Sequence, residues 1–222
     1  MNICIVAGHT LNPNKGCGAV GYINESTENR ILAKKVTEYI KKAGHNCDYY
    51  EVNKSDTYLK DQTNFANKKA YDVVVQIHFN ANKNTLSPMG TETLYKSSKG
   101  KAIAERVTNK LGLLYKQRGV KLRTDLHWLN ATKYPAILIE TCFVDSKSDT
   151  DKYVNNKDAT AKLIAEGVIG KDIVETNATT NSKNDDILWA VCVGAYKDKN
   201  KADSIVEELK KKGYASAYLI PR

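Results

Sequence analysis

Two kinds of apolar pattern alternate along most of the chain. Short β-branched runs read as strands, and longer stretches with apolar residues every three to four positions read as helices. Ile3 to Val6 form a first short run, and His9 stands just past its end in AGHT. Residues 11–24, rich in Gly, Asn and Pro, read as a loop. Glu25 then opens a helix whose Ile31, Leu32, Val36, Tyr39 and Ile40 share a face, closed by KKAG at 41–44. A strand over 46–51 and a helix over 57–69 lead into Val73, Val74, Val75 and Ile77, a continuous run expected inside a parallel sheet. His78 closes that run, and Asn80, Asn82 and Asn84 follow it as a turn-prone segment. Its imidazole therefore belongs at the carboxyl edge of the sheet, where open α/β sheets bind ligands.

Further along, 90–95 reads as a strand and 98–116 as a helix with Ile103, Val107, Leu111 and Leu114 in phase. A loop carrying Lys121, Arg123, His127 and Trp128 precedes KYPAILIE, a strand with Pro135 at its start, where a missing donor is tolerated. A helix over about 156–168 completes this part. Strands alternating with helices predict an α/β fold, a mostly parallel twisted sheet with helices on both faces, over residues 1–173. Residues 174–185 lose nearly all apolar character and read as a linker. Residues 186–222 give two short apolar runs around a helix over about 200–212, a small β-α-β unit short of a core of its own.

Composition narrows the partners. A net charge of +9, spread along the 222 residues, favours a polyanion such as nucleic acid, an acidic membrane surface or an anionic cell wall. Thirteen Tyr against three Phe and two Trp point to amphipathic surface or groove positions. Five cysteines, odd in number and without CxxC spacing, argue against a disulfide framework or a cysteine zinc cage. No segment approaches the roughly 18 apolar residues that span a bilayer. MNICIVAGHT carries no basic leader, so the expectation is synthesis in the cytoplasm without a signal peptide, with release by another agent if the protein works outside it.

Candidate chemistry gathers at one sheet edge in His9, Glu25, His78 and Glu140. Two imidazoles and a carboxylate suit a catalytic zinc that keeps a fourth position open. Glu140 closes the AILIE strand, and a carboxylate there needs a charged or metal partner and is placed to move a proton. Each imidazole alone is equally compatible with a hydrogen-bonded strand end, and Glu25 alone with a first-turn acid that complements the helix dipole. Cys142 reads as packing rather than as a nucleophile, and His45 as a turn residue. His127 and Trp128 read as groove lining or as partly buried packing, and Asn80 and Asn82 as turn formers or substrate contacts.

AGHT, NESTEN, VQIHFNAN and AILIETCFVD together resemble the motifs of the zinc-dependent N-acetylmuramoyl-L-alanine amidases, in particular the catalytic domains of clostridial phage endolysins, over about residues 1–172. The resemblance implies His9, Glu25 and His78 as zinc ligands and Glu140 as catalytic acid/base. It selects Glu25 over Glu28 because the family's ligand precedes an Asn by four positions, and Asn29 fits. The first motif departs from the family form, in which Pro precedes GH and two glycines follow. The expected function is peptidoglycan hydrolysis at the amide between N-acetylmuramic acid and the L-alanine of the stem peptide, with bacterial peptidoglycan rather than nucleic acid or membrane as partner. A zinc peptidase or carboxypeptidase of the stem, or a non-catalytic wall-binding protein, is the alternative. The tail is similar to half of a sporulation-related peptidoglycan-binding repeat, which makes residues 186–222 a wall-binding or dimerisation unit and a homodimer through them an expectation.

Overall fold

Strands Asn2–Ala7 (β1), Asn46–Tyr50 (β2), Val73–Asn80 (β3), Thr91–Tyr95 (β4), Gln117–Leu122 (β5) and Ala136–Phe143 (β6) pair in the order β2-β1-β3-β6-β4-β5. They belong to a computed structural model that describes residues 1–174 and 197–213. The chain divides into two units, Met1–Glu175 and Thr176–Arg222. In the first, β2, β1, β3 and β6 run parallel, β4 lies antiparallel to β6, and β5 runs parallel to β4. The sheet is thus mixed and mostly parallel, and the fold is α/β.

Its helices are Glu25–Lys42 (α1), Tyr58–Ala66 (α2), Ser98–Leu111 (α3), His127–Ala131 (α4), Lys147–Asn155 (α5) and Lys157–Ile169 (α6). One face of the sheet, through Ile3, Ile5, Val73, Val75, Ile77, Ile137 and Ile139, packs with Leu32 and Val36 of α1, Val107 and Leu111 of α3 and Ile164 and Val168 of α6. The other face, through Cys4, Val6, Val74, Leu94 and Leu138, packs with Ala66 of α2 and Trp128 and Leu129 of α4. Val73, Val74, Val75 and Ile77 are fully buried, each contributing about 1.5–3 kcal/mol of transfer free energy. Every second residue of one strand therefore meets one helical layer, as a strand covered on both faces requires.

The order of the strands places the site. From β1 the chain passes through α1 to β2 on one side, then through α2 to β3 on the other side of β1. The connections thus part between the carboxyl ends of β1 and β3, the switch point at which such sheets open a crevice.

Several parts of the first unit differ from the sequence expectation. Strand β3 runs to Asn80, past His78, and β6 to Phe143, past Glu140, so neither residue closes its strand, because the ladder between the two strands continues beyond the His78–Glu140 pair. The helix expected over 98–116 ends at Leu111. Residues 117–122, read as loop, form edge strand β5, whose QRGVKL carries the charges and the glycine that keep an edge from pairing further. Residues 147–155 add α5, seeded by Ser146, whose hydroxyl caps the Asp149 amide. In the second unit the described helix Lys199–Lys211 (α7) matches the expectation, with Asp198 accepting from the Asn200 and Lys201 amides. The expected linker over 174–185, apart from residue 174, and both tail strands lie outside the described residues. No helix among the described residues is long and apolar enough to cross a membrane.

Candidate metal centre

His9 follows β1 with φ at 60°, a left-handed conformation costly for a side chain with a Cβ. Its neighbour must be glycine, because a Cβ on Gly8 would lie 2.3 Å from the His78 ring. The Gly16 carbonyl can only accept, so His9 Nδ1, 3.0 Å away, donates to it, and Nε2 is turned toward Glu25 Oε1 at 3.3 Å. His78 sits at the mouth of β3 with Nδ1 3.1 Å from the same Oε1. The two rings meet edge to face, centroids 4.7 Å apart.

Glu25 opens α1 after Asn24, whose side chain accepts from the Thr27 amide. It is only 3% exposed. Its Oε1 also accepts from the Phe79 amide at 3.0 Å and its Oε2 from the Ala19 amide at 2.9 Å. Gly18 leaves room for it, since a Cβ there would come within 2.6 Å of Oε2. Burial alone would raise the Glu25 pKa, but hydrogen bonds from His78 and His9 outweigh it and hold the carboxyl well below its usual range. Glu28 points elsewhere, to Lys157 Nζ at 2.6 Å and the Tyr153 hydroxyl at 3.0 Å.

One ligand atom from each of His9, Glu25 and His78 lies within 4.8 Å of the others. The donor set fits a divalent cation. His9 Nε2 and His78 Nδ1 crowd one carboxylate oxygen, and their lone pairs repel it unless a proton or a cation intervenes. His78 Nε2 is shut off from solvent and has no hydrogen-bond partner among the described residues, so Nδ1, facing the Glu25 carboxylate, makes the ring's one polar contact there. A cation drawn to His9 Nε2, His78 Nδ1 and Glu25 resolves the conflict, and His9 already donates its other nitrogen to a carbonyl, as metal-ligating histidines do.

Glu140 lies beside this cluster on β6, in register with His78 of β3 on one side and Glu92 of β4 on the other. Its Oε2 is closed to solvent and has no partner among the described residues. Burial, then the charges of Glu25 and Glu92, push its pKa up to about 8, with Arg123 opposing them. Glu92 is compensated separately, by Arg118 Nε at 2.8 Å and Asn80 Nδ2 at 3.2 Å. Among the described residues, therefore, no hydrogen bond supplies the partner expected for Glu140 at Oε2.

The sequence reading did not single out Glu92, Arg118 or Arg30. Glu92 alternates with buried Thr91 and Thr93, which marks a strand facing two ways, but only the antiparallel pairing with β6 brings it to Glu140. Trp128 is 2% exposed and donates to the Ile137 carbonyl in the core, so it lines no groove. His127 meets the Thr63 hydroxyl between α4 and α2. Cys142 is fully buried, its thiol pushed well up by burial. Asn80 Oδ1 accepts from the next amide, Ala81, a local turn contact, and the Asn82 backbone amide donates to Asp145 in the segment after β6.

Residues 3–170 match the family model described as N-acetylmuramoyl-L-alanine amidase. The chain is 35% identical over 189 residues to an uncharacterized protein of Clostridium perfringens, covering 79% of this chain and 53% of that protein. It is 30% identical over 178 residues to the N-acetylmuramoyl-L-alanine amidase LytC of Bacillus subtilis, covering 74% of this chain and 36% of that protein. The chain thus spans about half the length, or less, of these two curated relatives. Among solved structures, the catalytic domain of the CD27L endolysin targeting Clostridia difficile superposes with a TM-score of 0.72 at 36% identity, covering 78% of this chain and 99% of that one. The catalytic domain of CwlV, an N-acetylmuramoyl-L-alanine amidase from Bacillus (Paenibacillus) polymyxa var. colistinus, gives a TM-score of 0.65 at 26% identity, with 77% and 97% covered.

Proposed function

Because the chain belongs to the N-acetylmuramoyl-L-alanine amidase family, we propose that it hydrolyses the amide between the lactyl group of N-acetylmuramic acid and the L-alanine of the stem peptide in bacterial peptidoglycan. The observation that carries this reading is the pairing, at one mouth, of the His9–Glu25–His78 cluster with the Glu140 carboxyl, whose Oε2 has no hydrogen-bond partner among the described residues.

His9, Glu25 and His78 would hold zinc, the ion suited to two imidazoles and one carboxylate. Zinc in such a site polarises a carbonyl and brings the pKa of a bound water to about 7. The remaining steps fall to the chain. Glu25 stays ionised and immobile, fixed by two backbone amides. Glu140, its carboxyl free of hydrogen bonds at Oε2, takes a proton from the attacking water. It returns that proton to the alanine nitrogen as the C–N bond breaks. A pKa near the working pH suits both halves of this transfer. The net charge of +9 favours accumulation on an anionic wall.

For residues 186–222 the proposal is pairing of two chains into one wall-binding or dimerisation module. It is supported by the half-repeat length and by α7, where Ala202, Ile205, Val206 and Leu209 are only half-buried. Light scattering on the whole chain and on residues 1–174 checks it: a dimer that becomes a monomer on truncation is expected, and a full-length monomer contradicts it.

Digestion of purified wall, with and without chelator, tests the enzyme reading. The expected result is new amino groups on L-alanine, no new reducing sugar ends, and loss of both activity and product when metal is removed. Amino groups appearing on another stem residue would assign the chain to the peptidases.

A further inference from the structure

Arg30, on α1, is only 6% exposed. All its hydrogen bonds among the described residues go to uncharged oxygens. Nη1 donates to the Ser26 carbonyl at 2.6 Å, Asn29 Oδ1 at 3.1 Å and the Gly8 carbonyl at 3.4 Å. Nη2 donates to the Val52 carbonyl at 2.7 Å and the His9 carbonyl at 3.1 Å, and Nε to Asn53 Oδ1 at 3.2 Å. One guanidinium thus ties together the end of β1, the first turn of α1 and the segment after β2.

The Glu51 carboxylate acts on this charge but shares no hydrogen bond with it among the described residues, and a buried charge is a poor source of stability, because well-packed apolar side chains of similar size generally do as well or better. What the guanidinium supplies is orientation, through a planar fork of fixed donors that a lysine cannot reproduce. It grips the carbonyl of His9, the residue held at φ 60°, and the turn of α1 that projects Glu25. Asn29 on the Gly8 carbonyl at 2.8 Å and Gln62 on the Ala7 carbonyl at 3.1 Å brace the same strand end. Of the three, Arg30 is the one whose hydrogen bonds reach both the His9 carbonyl and the turn of Glu25.

We propose that Arg30 is a positioning residue for the metal: by fixing the His9 main chain against the first turn of α1 it sets the spacing of two of the three ligands. This rests on the reading of His9, Glu25 and His78 as the metal site. Loss of Arg30 then weakens metal binding and leaves substrate affinity at saturating metal unchanged.

The test measures zinc affinity, by competition with a chromophoric chelator, for the whole wild-type chain, Arg30→Gln, Arg30→Lys and a Val107→Ala control in the core between α3 and α6. Melting temperatures of the metal-free proteins are recorded alongside. Both Arg30 variants are expected to bind zinc about ten- to a hundredfold more weakly. At saturating zinc their KM is expected to equal that of wild type, and the control is expected to keep wild-type affinity despite its lower melting temperature. Zinc affinity equal to wild type, or reduced no further than in the control, overturns the inference. So does failure of both variants to fold, which would assign Arg30 to the fold alone. If Arg30→Gln alone fails, Arg30→Lys decides. A wild-type chain that binds no zinc overturns the metal reading and this inference together, whereas zinc binding indifferent to Arg30 overturns this inference only.

Discussion

Two carboxylates share one mouth of the sheet and are treated in opposite ways. Glu25, at the β1–β3 opening, is surrounded: two imidazole nitrogens and two backbone amides reach its oxygens, and its pKa is held low. Glu140, one strand over, has an oxygen without a hydrogen-bond partner among the described residues, faces the charge of Glu92, and its pKa is pushed up to about 8. The same functional group is thus held ionised in one place and kept protonated to higher pH in the other, and environment alone separates them.

The largest effect is expected on the surrounded side. His78→Ala removes one donor of three, and turnover should fall to background with the bound metal lost, as activity assay and metal analysis would show. Residual turnover with metal retained would move the ligand role off His78. On the other side, Glu140→Gln keeps the shape and loses the proton transfer, for a drop in turnover on the order of a hundredfold or more. A variant with near-normal turnover would end the acid/base assignment.

Stability separates the two carboxylates more gently. Glu140 ionises at about 8 in the fold against 4.5 ordinarily, so the metal-free folded protein holds a proton that the unfolded chain releases. Stability on this account is full below about 4.5 and is lost as pH rises toward 8. Glu140→Gln should therefore stabilise the metal-free protein by on the order of 1–3 kcal/mol above pH 8, and by nothing at acid pH. Denaturant melts at the two pH values check it, and a gap of the same size at both would contradict it. The smallest effect concerns Glu92. Removing its charge as Glu92→Gln should let Glu140 ionise more readily, moving the acid limb of the pH–rate profile to lower pH, and an unmoved limb would detach Glu92 from Glu140.

Much of this was legible in the sequence where one residue's position fixes its role. The run Val73 to Ile77 reads as a strand covered on both faces, and His9, two residues past β1, and His78, two residues before the end of β3, both stand near strand ends, so the crevice was readable in the sequence. Edge strand β5 was not, because an edge exposed to water needs no apolar alternation, and QRGVKL shows none. The antiparallel turn of β4 against β6 is a matter of long-range pairing, and with it went Glu92. Trp128 was ambiguous for a related reason: a tryptophan between two strands fits a groove or a core equally, and only packing against the Ile137 carbonyl decides. Arg30 looked like one more basic residue on an amphipathic helix, and its six hydrogen bonds come from segments far apart in sequence as well as from its own turn.

The division of labour between the carboxylates is tested most directly by metal content. Wild type, Glu25→Gln and Glu140→Gln are purified alike and their zinc is counted by elemental analysis. The expected result is about one zinc per chain in wild type and in Glu140→Gln, and none in Glu25→Gln. A Glu140→Gln protein without zinc, or a Glu25→Gln protein that keeps it, would contradict the assignment of ligand and proton carrier.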